Sequence, residues 1–154
     1  TLEQIIAELA SLEAEDFDYE KPGSDGIERL DSLMDDLLFL PQPERAIRAI
    51  FDVMERMPEV DLGSPRALVH TLESMRGQYE QELVNSIKRI PTSLSVWMIN
   101  RIINSTTLPE NREFWMDLLK LASEHPKTME IVRMEAQDFI RYQNERVCEI
   151  SERN

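Results

Sequence analysis

The stretch DGIERLDSLMDDLLFL, residues 25–40, decides the fold prediction. Its apolar residues recur every three or four positions, which is the spacing of one face of an α-helix. That apolar face consists of Ile27, Leu30, Leu33, Met34, Leu37 and Leu38, and the opposite side carries Glu28, Asp31, Asp35 and Asp36. Either Ser24 or Asp25 can cap its first turn. The pattern predicts a helix from Asp25 to about Leu40 with a carboxylate stripe along its outer side.

The same spacing extends in both directions from this helix. A first helix is predicted over residues 2–12, followed by an irregular segment over residues 15–24. Further helix starts are indicated by prolines that suit a first helical turn, at Pro43, Ser64–Pro65, Pro91 and Pro109. Helix ends or interruptions are indicated at Pro58, Gly77 and His125–Pro126. No segment shows a strand pattern of comparable quality.

Three of these restarts share a weak repeat, in which an apolar residue precedes the proline: Leu40–Pro41, Ile90–Pro91 and Leu108–Pro109. Grouping the helices by these restarts gives three hairpins, over residues 25–57, 65–104 and 110–150. Their length suits stacked pairs of helices. We therefore predict an all-α fold, a single domain over residues 1–154, built as an irregular HEAT-like helical-hairpin solenoid of seven to eight helices.

The net charge of −13 is concentrated at one end of the chain. Residues 1–62 hold 17 acidic and 5 basic residues, a net charge of −12, whereas residues 63–154 hold 13 acidic and 12 basic residues, a net charge of −1. A negative field of this size repels nucleic acid and anionic membranes and speeds association with basic partners. We expect no direct binding to nucleic acid or to a membrane, and we expect a basic protein partner.

Three features of the sequence predict a cytoplasmic location. Cys148 is the single cysteine of the chain, so no intrachain disulfide can form. No apolar run approaches the roughly 18 residues of a membrane span. The first ten residues, TLEQIIAELA, lack the basic region of a signal peptide.

The segment Glu13–Asp36, EAEDFDYEKPGSDGIERLDSLMDD, is the candidate binding surface. It holds ten acidic residues against Lys21 and Arg29, and two aromatic residues lie among the acids. A solvated face is the alternative interpretation, but aromatic residues inside a charged rim are typical anchors of protein interfaces. The predicted contact residues are Glu13, Glu15, Asp16, Phe17, Asp18, Tyr19, Glu20, Asp25, Glu28, Asp31, Asp35 and Asp36.

Motifs for catalysis are absent from the sequence. It contains no C-x-x-C, no H-E-x-x-H, no G-x-S-x-G and no Gly-rich phosphate loop. Asp31 and Asp35 are four residues apart and can share a cation, but no second cluster accompanies them. His70 is predicted to be a partly buried helix residue. We therefore expect no enzyme activity, no metal and no cofactor.

Two aromatic pairs and one polar helix face complete the set of candidates. Trp97 with Met98 and Trp115 with Met116 have the spacing of core residues. The side chains of Asn100, Arg101 and Asn104 share one helix face and can line a groove.

Two segments resemble a known family. They are DLGSPRALVHTLE at Asp61–Glu73 and the segment from Ile90-Pro-Thr to VWMINRIIN at Val96–Asn104. Together they resemble bacterial all-helical immunity proteins of polymorphic-toxin and contact-dependent growth inhibition systems, over residues 60–125. The resemblance implies a small cytoplasmic protein that binds one cognate toxin domain, often a nuclease, and blocks its active site. The acidic N-terminal part lies outside the matched residues.

The leading hypothesis is an immunity protein that binds a basic toxin domain, a nuclease above all, and occludes its active site with the acidic surface. An acidic protein can occupy the basic cleft of a nuclease by copying the charge of the phosphates. The alternative is a helical adaptor or regulatory subunit that binds a basic host protein.

Overall fold

The computed structural model describes residues 1–63 and 67–153, and within these residues it is built from eight α-helices and no strands. Two short 3₁₀ helices, Ala14–Phe17 and Pro43–Ala46, lie in connections between the α-helices. The helices are α1 Leu2–Ser11, α2 Gly26–Phe39, α3 Ile47–Arg56, α4 Ala67–Ser74, α5 Glu80–Arg89, α6 Ser93–Ser105, α7 Pro109–Glu124 and α8 Glu130–Arg153. The all-α prediction and the predicted number of helices are confirmed.

Several helix boundaries follow from local signals in the sequence. Thr92 and Ser95 form a capping box at the start of α6, and Pro109 occupies the first turn of α7. Gly77 has a φ of +92°, a left-handed conformation that breaks the helical path between α4 and α5. The predicted cap at Ser64–Pro65 lies outside the described residues.

The helices are stacked in two layers. In one layer α1 packs on α3, α3 on α5 and α5 on α7; in the other α2 packs on α4 and α6 on α8. Four pairs of sequence neighbours also pack on each other: α1 and α2, α5 and α6, α6 and α7, and α7 and α8. Stacked helix pairs of this kind form the α-solenoid architecture that the sequence predicts.

The predicted hairpin over residues 25–57 is wrong. Helix α2 packs on α1 and α4, whereas α3 packs on α1 and α5, so these two helices belong to different pairs. The last hairpin, over residues 110–150, is confirmed by the packing of α7 on α8. The proline restarts mark helix starts correctly, but a restart does not reveal which neighbour a helix packs against.

One hydrophobic core runs through both layers, from Leu2 on α1 to Ala136 on α8. An ion-paired cluster adds a polar connection between α3 and α5, where Arg89 donates to both carboxylate oxygens of Glu55 at 2.8 and 2.9 Å. The first helix is held on α3 by Arg56, whose Nη2 donates to the carbonyls of Leu9 and Leu12 at 3.0 and 3.2 Å. Both carbonyls lie at the C-terminal end of α1, where carbonyl groups run out of donors within the helix; that of Leu9 also accepts the backbone N–H of Leu12 at 3.3 Å.

Leu38, which the periodicity places on the apolar face of α2, is exposed. Four apolar residues of α7 and α8 are exposed as well: Phe114, Leu121, Ile131 and Met134. A helix that packs against its neighbours on only part of its circumference leaves the apolar side chains on the rest in solvent.

Candidate functional site

The outer face of α2 is a ridge of carboxylates. Glu28, Asp35 and Asp36 are exposed and Asp31 is partly exposed, while Leu30, Leu33, Met34 and Leu37 on the other side belong to the core. This division follows from the 3.6-residue period of the helix, which separates the two sets by about half a turn. We call Glu28, Asp31, Asp35 and Asp36, together with Phe39, the acidic ridge.

The ridge has a groove on each side. Glu28 and Asp36 line a groove of about 570 Å³ between α1 and α2, together with Glu8 of α1. Asp31 and Asp35 line a second groove of about 470 Å³ between α2 and α4. The predicted single stripe is therefore two rows of carboxylates on the two flanks of one helix.

Phe39 lies at the end of the ridge and is 89% exposed. It is one helical turn beyond Asp35 and Asp36, so its ring shares their face. Leu38 beside it is 47% exposed. Phe39 is not among the predicted contact residues, although the run Leu37–Leu40 contains four apolar residues in succession, and a helix cannot bury all of them on one face.

The segment before α2 presents its two aromatic residues differently. Tyr19 is 90% exposed, whereas Phe17 is only 8% exposed and belongs to the core. Phe17 therefore anchors the segment to the domain and does not offer an exposed ring to a partner. Tyr19 and Phe39 are the aromatic side chains that reach solvent in this part of the structure.

Several acids of this segment are occupied by local contacts. Glu15 forms an ion pair with Lys21 at 2.8 Å, and this carboxylate raises the pKa of the lysine. Asp16 lies 3.6 Å from Arg29 and accepts the backbone N–H of Glu13 at 2.8 Å.

The other predicted acids are less engaged. Asp18 accepts the backbone N–H of Glu20 at 3.1 Å, which shapes the turn without neutralising the charge. Glu13, Glu20 and Asp25 are exposed. The predicted surface thus separates into a partly neutralised segment and the acidic ridge.

The four carboxylates of the acidic ridge form no ion pair in the part of the chain that the structure describes. Within residues 1–63 and 67–153, no Lys, Arg or His nitrogen lies within 4.0 Å of a carboxylate of Glu28, Asp31, Asp35 or Asp36. Acids that join helices elsewhere are paired: Glu55 and Glu82 with Arg89, and Glu73 with Arg101. Packing does not account for the four carboxylates of the ridge.

The predicted groove residues on α6 are only partly where the sequence places them. Arg101 and Asn104 line a groove of about 480 Å³, whereas Asn100 is buried and accepts a hydrogen bond from Gln143 of α8 at 2.7 Å. Trp97 and Trp115 pack against the core but are only half-buried, while Met98 and Met116 are buried.

The remaining candidate residues do not converge on one site. His70 is exposed on α4, which corrects the prediction of partial burial, and it lines the groove beside Asp31 and Asp35. His125 is bound to the backbone, with Nε2 2.8 Å from the carbonyl oxygen of Lys88. Cys148 is exposed on α8. Among the described residues, no three His, Cys, Asp or Glu side chains are arranged to hold a metal ion.

None of the helices in the described ranges is long and apolar enough to cross a bilayer. Comparisons of the chain with protein families, with characterised proteins and with solved structures gave no match.

Proposed function

We propose that this protein is an immunity-type inhibitor, which binds a basic toxin domain through the acidic ridge and blocks the active site of that domain. The observation that carries the proposal is the set of four unpaired carboxylates next to the exposed ring of Phe39. A solvated face needs the charge but gains nothing from an exposed aromatic residue. An interface uses both, the charge for encounter and the ring for affinity.

A nuclease is the toxin class that this surface fits best. Nucleases present cationic clefts to the phosphates of their substrate, and the flanks of α2 offer carboxylates in two rows along one helix. In the complex, charged hydrogen bonds from arginine and lysine side chains replace the water that hydrates these carboxylates in the free protein. The helix is rigid, so little conformational entropy is lost on binding.

The negative charge of the N-terminal part predicts fast association with a basic partner. Residues 1–62 carry a net charge of −12, which accelerates association with a positively charged domain by long-range attraction. An inhibitor that must reach a toxin before the toxin reaches its substrate benefits from this acceleration.

The test is charge reversal of the ridge in the triple variant Asp31→Lys, Asp35→Lys and Asp36→Lys. Association is measured by stopped flow with a toxin domain that the unaltered protein captures in a pull-down, and protection is measured as survival of cells that express that toxin. We expect association to slow by about 10-fold or more and protection to be lost.

The matched control reverses three exposed acids of α7: Glu110→Lys, Glu113→Lys and Asp117→Lys. It changes the net charge equally, so any effect of total charge is common to both variants. If the two triple variants bind the toxin equally well, the acidic ridge is not the contact surface. If the unaltered protein binds a basic host protein and no toxin, the adaptor hypothesis replaces the present one.

A further inference from the structure

A second surface, on α4 and α6, holds the side chain of Arg101 between an aromatic ring and a carboxylate. The guanidinium of Arg101 lies over the ring of Trp97, 4.8 Å from the ring centroid. Its Nη2 donates to Oε2 of Glu73 at 3.0 Å. An aromatic face beneath a guanidinium and a carboxylate at its edge are the two elements that proteins use to bind arginine.

Only one of the two carboxylate oxygens of Glu73 accepts a hydrogen bond from Arg101. The other carboxylate oxygen of Glu73, Oε1, is buried and has no hydrogen-bond donor among the described residues. A guanidinium can donate two parallel N–H bonds, one to each oxygen of a carboxylate. A buried oxygen without a donor is unfavourable, so Glu73 can accept a stronger contact than the one Arg101 supplies.

Arg101 also forms one wall of the groove between α4, α6 and α7. Without Arg101, the charged residues that line this groove are Glu73, Glu80 and Arg76, a net charge of −1. Tyr79 and Trp115 supply aromatic walls. The groove is therefore balanced by one cation, and the protein's own Arg101 provides it.

We propose that Glu73 and Trp97 form an arginine site, filled by Arg101 in the free protein and taken over by an arginine side chain of the basic partner on binding. The side chain of Arg101 is 47% exposed, so it can turn into solvent without unpacking the core. Lysine fits less well, because its ammonium neither stacks flat on an indole ring nor bridges two carboxylate oxygens. The source of the arginine depends on the proposed function, whereas the site itself does not depend on the acidic ridge.

The experiment removes the side chain of Arg101 and adds a small arginine derivative that can bind in its place. Arg101→Ala is titrated with N-acetyl-arginine amide, and the indole N–H resonance of Trp97 is followed by NMR, with Trp97→Phe used to assign it. We expect saturable binding that is about 10-fold tighter than to the unaltered protein, in which Arg101 competes.

Comparison of the arginine probe with two related probes distinguishes a specific arginine site from weak binding at the protein surface. N-acetyl-citrulline amide has the same shape without the charge, and N-acetyl-lysine amide has the charge without the planar group. Both are expected to bind more weakly, and adding Glu73→Gln to Arg101→Ala is expected to abolish binding of the arginine probe. Equal binding of the citrulline probe, or binding unaffected by Glu73→Gln, would overturn the proposal.

A folding check distinguishes loss of the site from loss of the fold. If Arg101→Ala loses helical content by circular dichroism, Arg101→Lys is used instead; it keeps a positive charge opposite Glu73, and a missing arginine-probe signal in that variant overturns the proposal. The probe titration needs no partner, so it can fail while the toxin still binds the acidic ridge. It can equally succeed when no toxin binds.

Discussion

The ring of Phe17 occupies the space that a side chain on Gly26 would need. A Cβ built on Gly26 would lie 2.8 Å from Cδ1 and Cε1 of Phe17 and 2.7 Å from the carbonyl oxygen of Asp16. This contact fixes the segment before α2 on the first turn of the helix. It holds Tyr19 and the acids of that segment near the acidic ridge.

Gly26→Ala is therefore expected to destabilise the protein by about 1–3 kcal/mol, although alanine is the better helix former. The added methyl group must displace either the ring of Phe17 or the backbone of Asp16. Urea unfolding measures the change in the free energy of unfolding. Combining Gly26→Ala with Phe17→Leu should cost less than the sum of the two single changes, because the smaller side chain relieves the clash. Strict additivity would show that the clash is not what destabilises Gly26→Ala.

Phe39→Ala separates binding from stability. The ring is 89% exposed, so the free energy of unfolding is expected to change by less than about 0.5 kcal/mol. Affinity for the toxin domain should fall by about 2 kcal/mol or more if the ring is an interface anchor. Isothermal titration calorimetry provides the affinity, and Phe114→Ala, which removes a half-exposed ring from α7, is the matched control. Equal affinities of the two variants would remove Phe39 from the interface.

Salt is expected to slow association of the unaltered protein with its basic partner, because ions screen the field of the N-terminal part. The slope of the association rate against ionic strength should be smaller for the ridge variant Asp31→Lys, Asp35→Lys and Asp36→Lys. Stopped-flow measurements at several salt concentrations give both slopes. An association rate independent of salt would mean that charge does not steer this encounter.

Arg89 is expected to matter for stability, because it bridges Glu55 and Glu82 in the contact of α3 with α5. Its Nη2 lies 2.9 Å from Oε2 of Glu55 and 2.6 Å from Oε1 of Glu82, and these hydrogen bonds, Glu55 first, raise the pKa of the arginine. Arg89→Met leaves Glu55, whose side chain is only 12% exposed, with the hydroxyl of Ser86 as its remaining side-chain donor among residues 1–63 and 67–153. We expect a loss of about 2–3 kcal/mol by thermal or urea unfolding.

Replacing both partners of this pair is the corresponding control. Glu55→Leu combined with Arg89→Met removes the charge that Arg89→Met alone leaves without its counter-ion. The double variant should be more stable than Arg89→Met. A double variant less stable than the single one would show that the ion pair contributes more than an apolar contact of similar size.

The free energy of unfolding is expected to fall at high pH because of Tyr79. Burial raises the pKa of Tyr79 from its ordinary value of 10.0 to about 12. Between these values the tyrosine is ionised in the unfolded chain and neutral in the folded one, so the unfolded state binds fewer protons and stability falls as pH rises from 10 towards 12. Below pH 10 the contribution is constant. Unfolding curves across this range should show the fall, and Tyr79→Phe should reduce it.

The sequence predicted more of the fold than of the site. Helical periodicity and the prolines located the helices because both act within a few residues along the chain. The pairing of helices was predicted less well, since the choice of α4 over α3 as the neighbour of α2 depends on contacts between distant residues. Phe17 shows the same limit: its segment is acidic and predicted to be exposed, yet its ring packs against Gly26.

The sequence by itself determined that the protein is all-helical and that its negative charge is confined to the N-terminal part, because both are properties of residue order alone. Only the tertiary structure decided which of these charges remain free. It paired Glu15 with Lys21 and Asp16 with Arg29, and within the described residues it left the four carboxylates of the acidic ridge without an ion-pair partner. It also placed Phe39 in solvent while burying Phe17. The reason is physical: burial and ion pairing depend on distances between side chains that the fold brings together, and residue order does not contain these distances.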